Sequence, residues 1–130
     1  MEQSRIDLTQ AEWQVMECLW EQAPRTGREA AEYMARRTGW SRSTTLTLLQ
    51  PLEDKGAVSS REEGRKKVFS PVLRREDAAL QETEDFLTRV YNGSVSLLVS
   101  SMTRRQALPQ EEIDQLYALL QQLEDQKGAD

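Results

Sequence analysis

The chain has 130 residues, no histidine, a single cysteine and a formal net charge of −5. That length holds one domain, or one domain with a small appendage, and its modest core would grow by pairing with a second copy. Without histidine there is no Ser-His or Cys-His nucleophile system, and a lone cysteine leaves no internal disulfide and no zinc or copper site built from Cys and His pairs.

In chain order, the opening MEQSRID has neither a basic segment nor an apolar one, so no signal peptide is expected, and no apolar run approaches the length of a membrane span. Thr9 is placed to cap a first helix, and Glu12 three residues on completes a capping box. This helix runs from Ala11 to Glu21 with Trp13, Val15, Met16, Leu19 and Trp20 as its apolar surface and Cys18 as a small core residue. Pro24 closes the unit. Thr26 caps a second helix, GREAAEYMARR, which Gly39 ends.

Ser41 caps the third helix, within the stretch WSRSTTLTLLQPLEDKG. At 100° per residue, Thr45, Leu48, Leu49 and Leu52 fall on one face, the spacing of a helix packed on a core. Ser43, Leu46, Thr47 and Gln50 fall opposite. That outward face is short, uncharged and able to hydrogen-bond, which suits close entry into a groove. Pro51 lacks the amide that would bond the Thr47 carbonyl, at a cost of about 3 kcal/mol in a regular helix, so a kink or tightened turn is expected around Gln50.

Ala57 to Arg61 and Lys66 to Ser70 are predicted to pair as a hairpin around residues 62–65, with Gly64 supplying the turn. Three short helices followed by a basic hairpin form the winged-helix arrangement. Arg61, Arg65, Lys66 and Lys67 cluster in the wing, where long cations reach phosphates.

Beyond Pro71, Arg74 to Tyr91 is predicted as an amphipathic helix with Leu80, Phe86, Leu87 and Val90 on one side, broken by Asn92 and Gly93. Val95, Leu98, Val99 and Met102 mark a short helix, and Pro109 opens a last one, to Gln126, lined by Ile113, Leu116, Tyr117, Leu120 and Leu123. Three amphipathic helices with nothing further to cover them call for a two-fold dimer, with Phe86, Val90, Leu98, Met102, Ile113, Leu116 and Leu120 at the interface. The terminal KGAD is expected to be disordered. The fold class is therefore mainly α: a winged helix-turn-helix domain over residues 5–73 with a two- to three-stranded wing, then a helical dimerisation region over 74–126.

Charge is unevenly spread. Residues 25–75 carry twelve basic and six acidic groups, a net of +6, while residues 1–24 and 76–130 carry −4 and −7. Screening makes local field matter more than net charge, so the middle segment can meet phosphate while the acidic ends face away. An ordinary mixed surface would also produce this pattern. No Gly-rich phosphate loop is present, and Glu62, Glu63, Glu82, Glu84 and Asp85 sit in solvated charged runs rather than a desolvating cleft. No enzymatic activity, cofactor or metal is expected.

The stretches LTQAEWQVMECLW, GWSRSTTLTLLQPLEDKG, KKVFSPVL and FLTRVYNGSVSLLVSSM resemble the BlaI/MecI/CopY family of bacterial transcriptional repressors across nearly the whole chain. The resemblance implies a dimeric winged-helix repressor on an operator with inverted TACA and TGTA half-sites. In the family's antibiotic-sensing branch it also implies release by tail proteolysis through a membrane metalloprotease sensor, and it aligns the scissile bond with Ser101-Met102. The paired Cys-X-Cys motifs of the copper-sensing branch are absent. Thr44 and Thr47 match family threonines, whereas Leu46 and Pro51 stand where basic residues are usual.

Together these readings predict a cytoplasmic repressor homodimer bound to double-stranded DNA, with no lipid partner. Ser43, Thr44, Thr47 and Gln50 are expected at base edges, Leu46 against a thymine methyl, and Arg42 with the wing cations at phosphates. The alternative is a winged helix used as a protein-interaction module.

Overall fold

The computed structural model describes residues 5–129. The elements are α1 (Gln10–Glu21), β1 (Arg25–Thr26), α2 (Gly27–Thr38), α3 (Arg42–Asp54), β2 (Val58–Glu63), β3 (Lys66–Pro71), α4 (Arg75–Tyr91), α5 (Val95–Met102) and α6 (Gln110–Ala129). They divide into two compact units between Gln81 and Glu82, inside α4. Among the described residues no helix is long and apolar enough to cross a membrane.

Local signals set the helix starts. Thr9 and Thr26 each accept from the amide three residues on, and Glu12 and Glu29 bond back to the cap amides, giving two complete capping boxes. Ser41 caps α3 by accepting from the Thr44 amide. Gly39 closes α2 in the left-handed conformation at φ 78°, which costs glycine no steric penalty.

The first unit is a winged helix. Its antiparallel sheet has the order β1-β3-β2. Thr26 pairs with Val68 and Arg25 with Phe69, while β2 and β3 run in register from Val58↔Pro71 to Glu63↔Lys66. The hairpin loop is therefore the two residues Gly64 and Arg65, with Gly64 at φ 63°. This is tighter than the expected four-residue turn, because Glu62 and Glu63 find cross-strand partners in Lys67 and Lys66.

The core joins all three helices to the wing. Val15, Met16 and Leu19 from α1 meet Leu49 and Leu52 from α3 and Ala57, Val58 and Phe69 from the hairpin region. Cys18 lies with Ala30, Tyr33 and Met34 between α1 and α2. Burial pushes its thiol up to about 11, so it packs as an inert apolar residue. Thr45 is fully buried on the inner face of α3, and its hydroxyl has no hydrogen-bond partner among the described residues.

Pro51 does not interrupt α3. The helix stays α-helical from Arg42 to Asp54, and the Lys55 amide donates to the Pro51 carbonyl at 2.9 Å. The expected tightening around Gln50 is thus absent. Leu49 and Leu52, both buried, hold the turn against the core, and Pro51 itself faces solvent.

The start of α4 belongs to the first unit. Arg75 donates to both Glu17 oxygens at 2.9 and 3.1 Å, and its guanidinium lies 5.9 Å from the Trp13 and Trp20 rings. Those rings meet edge to face at 5.2 Å, and Trp20 Nε1 donates to the Leu73 carbonyl at 2.9 Å. Ala78 is buried and Gln81 donates to the Ile6 carbonyl at 2.8 Å.

In the second unit, Asn92 at φ 52° and Gly93 at φ 82° end α4, and Ser94 caps α5. Phe86 and Tyr91 meet edge to face at 5.8 Å, and Tyr91 donates to Ser101 Oγ at 2.9 Å. Helix α6 continues to Ala129, so Lys127 to Ala129 are helical rather than disordered, and Asp130 lies outside the described residues. Gln121 donates to Asp125 at 3.2 Å one turn on, and Lys127 in the last turn suits the negative end of the helix dipole.

Candidate nucleic-acid interface

The outward side of α3 presents Arg42, Ser43, Thr44, Thr47 and Gln50 to solvent. Their polar groups are pre-ordered rather than loose. Ser41 Oγ lies 3.2 Å from Ser43 Oγ and 2.9 Å from Thr44 Oγ1, and Thr47 Oγ1 donates to the Thr44 carbonyl at 3.0 Å. Gln50 Nε2 donates to Asp54 Oδ1 at 2.9 Å, which leaves the amide oxygen as its outward acceptor.

Leu46 takes the expected outward placement, though it is among the less exposed residues of that face. It is 37% exposed, and one of its methyls approaches Gly27 so closely that a Cβ there would lie 3.0 Å from Leu46 Cδ2. The first residue of α2 thus braces the middle of α3, and only glycine allows that spacing without a shift.

The wing cations separate into two groups. Arg65 sits in the turn and Lys66 at the start of β3, both exposed. Lys66 and Lys67 line an open cleft of about 460 Å³ with Thr26, Gly27, Arg28, Glu29 and Glu32. There the Thr26 amide holds the Glu29 carboxyl below its usual range, with Lys66 and Arg25 adding to the effect. Arg61, by contrast, is paired with Glu63 on its own strand. Lys67 Nζ turns back to within 3.8 Å of Glu53 and 5.5 Å of the Phe69 ring.

Arg28 is a residue that sequence reasoning alone does not single out. It lies in the first turn of α2 on the wall of the wing cleft, 3.5 Å from Glu32. Its placement depends on β1 pairing with β3, and two residues of strand carry no periodicity to read.

The sequence matches the penicillinase repressor family over residues 8–122. The chain belongs to the penicillinase repressor family. It is 30% identical to a penicillinase repressor from Bacillus licheniformis over 120 residues, covering 92% of this chain and 94% of the relative. It is 24% identical to the methicillin resistance regulatory protein MecI of Mammaliicoccus sciuri, again over 92% of this chain and 98% of that one. Among solved structures, the DNA-binding domain of the repressor BlaI superposes with a TM-score of 0.52 at 28% identity, covering 58% of this chain and 93% of that domain. The monomeric form of Bacillus licheniformis BlaI, solved in complex with the blaP half-operator, gives 0.50 at 30% identity over 56% of this chain and 90% of that one. Both coverages fit the winged-helix portion of this family member.

The tail residues named from the sequence lie on the second unit. Phe86, Val90, Met102 and Leu120 are exposed, while Leu98, Ile113 and Leu116 are half-buried. Val99, Leu108, Ile113, Leu116, Tyr117 and Leu120 line an apolar groove of about 290 Å³. Ser101 and Met102 are exposed in the last turn of α5.

Proposed function

We propose that this chain is a sequence-specific DNA-binding transcriptional repressor acting as a homodimer on a palindromic operator in the cytoplasm, without enzymatic activity or a cofactor. The observation that carries this is the continuity of one surface. Leu46 on the hydroxyl face of α3 packs on Gly27, and Gly27 lines the same cleft as Lys66 of the wing. Base-reading groups and phosphate-reaching cations therefore adjoin. Ser43, Thr44, Thr47 and Gln50 meet base edges, and Arg42, Arg65 and Lys66 meet phosphates, with Arg61 and Lys67 joining once freed from Glu63 and Glu53. The solved complex of BlaI with a half-operator supports this reading. The exposed apolar residues of α4 to α6 support pairing with a second copy.

Release by a cut at Ser101-Met102, made by a protease under a membrane metalloprotease sensor, is the regulatory part of the proposal. A cut there would sever α6 from the DNA-binding unit and weaken the dimer, and mass action would then empty the operator. Mass spectrometry of the protein from induced cells tests it: fragments ending near Ser101 support the cut, and an intact chain during derepression rules it out.

A protein-interaction module is the second reading, favoured by the ion pairs that already occupy Arg61 and Lys67. A gel shift with duplex DNA from the gene's own promoter separates the two. Binding that weakens steeply with salt supports the repressor, and absence of binding to any duplex supports the module.

A further inference from the structure

The exposed face of α3 is almost entirely hydroxyl and amide, and each of those groups is engaged within the helix. Ser43 and Thr44 are linked through Ser41, Thr47 bonds the Thr44 carbonyl, and Gln50 bonds Asp54. Leu46 is the apolar exception among them. A leucine at 37% exposure could be simple core spillover, but its surroundings argue for a built position. A Cβ placed on Gly27 would lie 3.0 Å from Leu46 Cδ2, 3.9 Å from Leu49 Cδ1 and 4.0 Å from Phe69 Cε1, so one Leu46 methyl lies close to the glycine beside two apolar side chains. One methyl is thus near the glycine, while the residue as a whole stays exposed on the hydroxyl face of α3.

In the major groove, one base-edge group alone is apolar: the 5-methyl of thymine. An exposed branched alkyl group on the outward face of this helix matches that group and offers nothing to the polar edges of the other bases. We propose that Leu46 is a specificity-determining residue that reads a thymine methyl, and that Gly27 is the positioning residue that seats it. The inference rests on the DNA-binding reading. It also assigns Gly27 a role in recognition although it carries no side chain to contact DNA.

The test begins with selection of preferred duplexes from a randomised pool by the full-length protein. Each thymine of the selected site is then replaced in turn by deoxyuridine, which removes only the methyl and keeps all hydrogen-bonding groups. At one thymine per half-site, wild-type affinity should fall about fourfold, the worth of one buried methyl-sized group. In Leu46→Ala the same replacement should change affinity little, while the other thymines behave as in wild type. Leu46→Met, which retains an apolar reach, should restore part of the sensitivity. Gly27→Ala leaves φ unstrained and meets only the flexible Leu46 methyl within 3.0 Å, so it should fold yet show blunted methyl sensitivity. Thermal unfolding of each variant confirms that a folded protein is being compared. Selected duplexes with the same deoxyuridine profile in wild type and Leu46→Ala would overturn the inference alone. Recovery of no preferred duplex would overturn the DNA-binding reading and the inference with it.

Discussion

Lys55 Nζ, just past the end of α3, lies 2.5 Å from Oε1 of Glu12 in the first turn of α1, and it also donates to the Asp7 carbonyl at 2.7 Å. The Glu12 side chain is only 5% exposed and Lys55 35% exposed, so the pair ties the end of α3 to the core through a nearly buried carboxylate.

Burial on its own would raise the Glu12 pKa, but the hydrogen bonds from Lys55 and the Thr9 amide outweigh it and hold the carboxyl below its ordinary 4.5. A depressed folded pKa gives stability that is full above the unfolded value and lost as pH falls through the folded one. Lys55→Met should therefore destabilise by about 1–3 kcal/mol near neutrality by stranding the carboxylate. It should also shrink the loss of stability on acidification below about pH 4.5. Urea unfolding at several pH values checks both effects, and an unchanged midpoint at pH 7 would contradict the pair's role.

Thr45 contributes a methyl to the core and a hydroxyl with no partner among the described residues. Thr45→Val keeps the shape and removes the unsatisfied group. Its denaturation midpoint should rise, by about 1 kcal/mol in stability. A fall would mean that the hydroxyl has a partner, such as a water.

Wing cations should act on affinity and not on base preference. Replacing both Arg65 and Lys66 by alanine should flatten the dependence of log affinity on log salt by about 0.9 for each phosphate that is no longer neutralised. Thr47→Val should instead relax preference at one base-pair position. Binding titrations over a range of salt, with single-base operator variants, separate the two effects.

Leu120 is 58% exposed in the single chain, so a charge there costs an isolated chain little. In a dimer interface the same charge would be buried without a partner, at a cost of several kcal/mol. Leu120→Asp should sediment as a monomer with unchanged helix content and bind a two-half-site operator far more weakly. An unchanged dimer mass would remove Leu120 from the interface.

Features encoded within a few residues were legible in the sequence. The Thr9–Glu12 box, the Thr26 and Ser41 caps, the Gly39 stop and the Asn92–Gly93 break each depend on neighbours within one helical turn, and all appear where their chemistry puts them. The inner face of α3 was legible too, because Thr45, Leu49 and Leu52 follow the helical period. What only the tertiary structure decided lies across long separations. Strand β1 exists because Arg25 and Thr26 meet Phe69 and Val68, more than forty residues away. Helix α3 runs through Pro51 because Leu49 and Leu52 are buried on both sides of it, a packing gain that outweighs the missing amide. A methyl of Leu46 comes close to Gly27 only because the second helix packs beside the third, and Lys67 lies within reach of Glu53 only because the wing folds back on α3. Periodicity says which side of a helix is apolar; which backbone or carboxylate arrives on the other side is settled only when the helices pack.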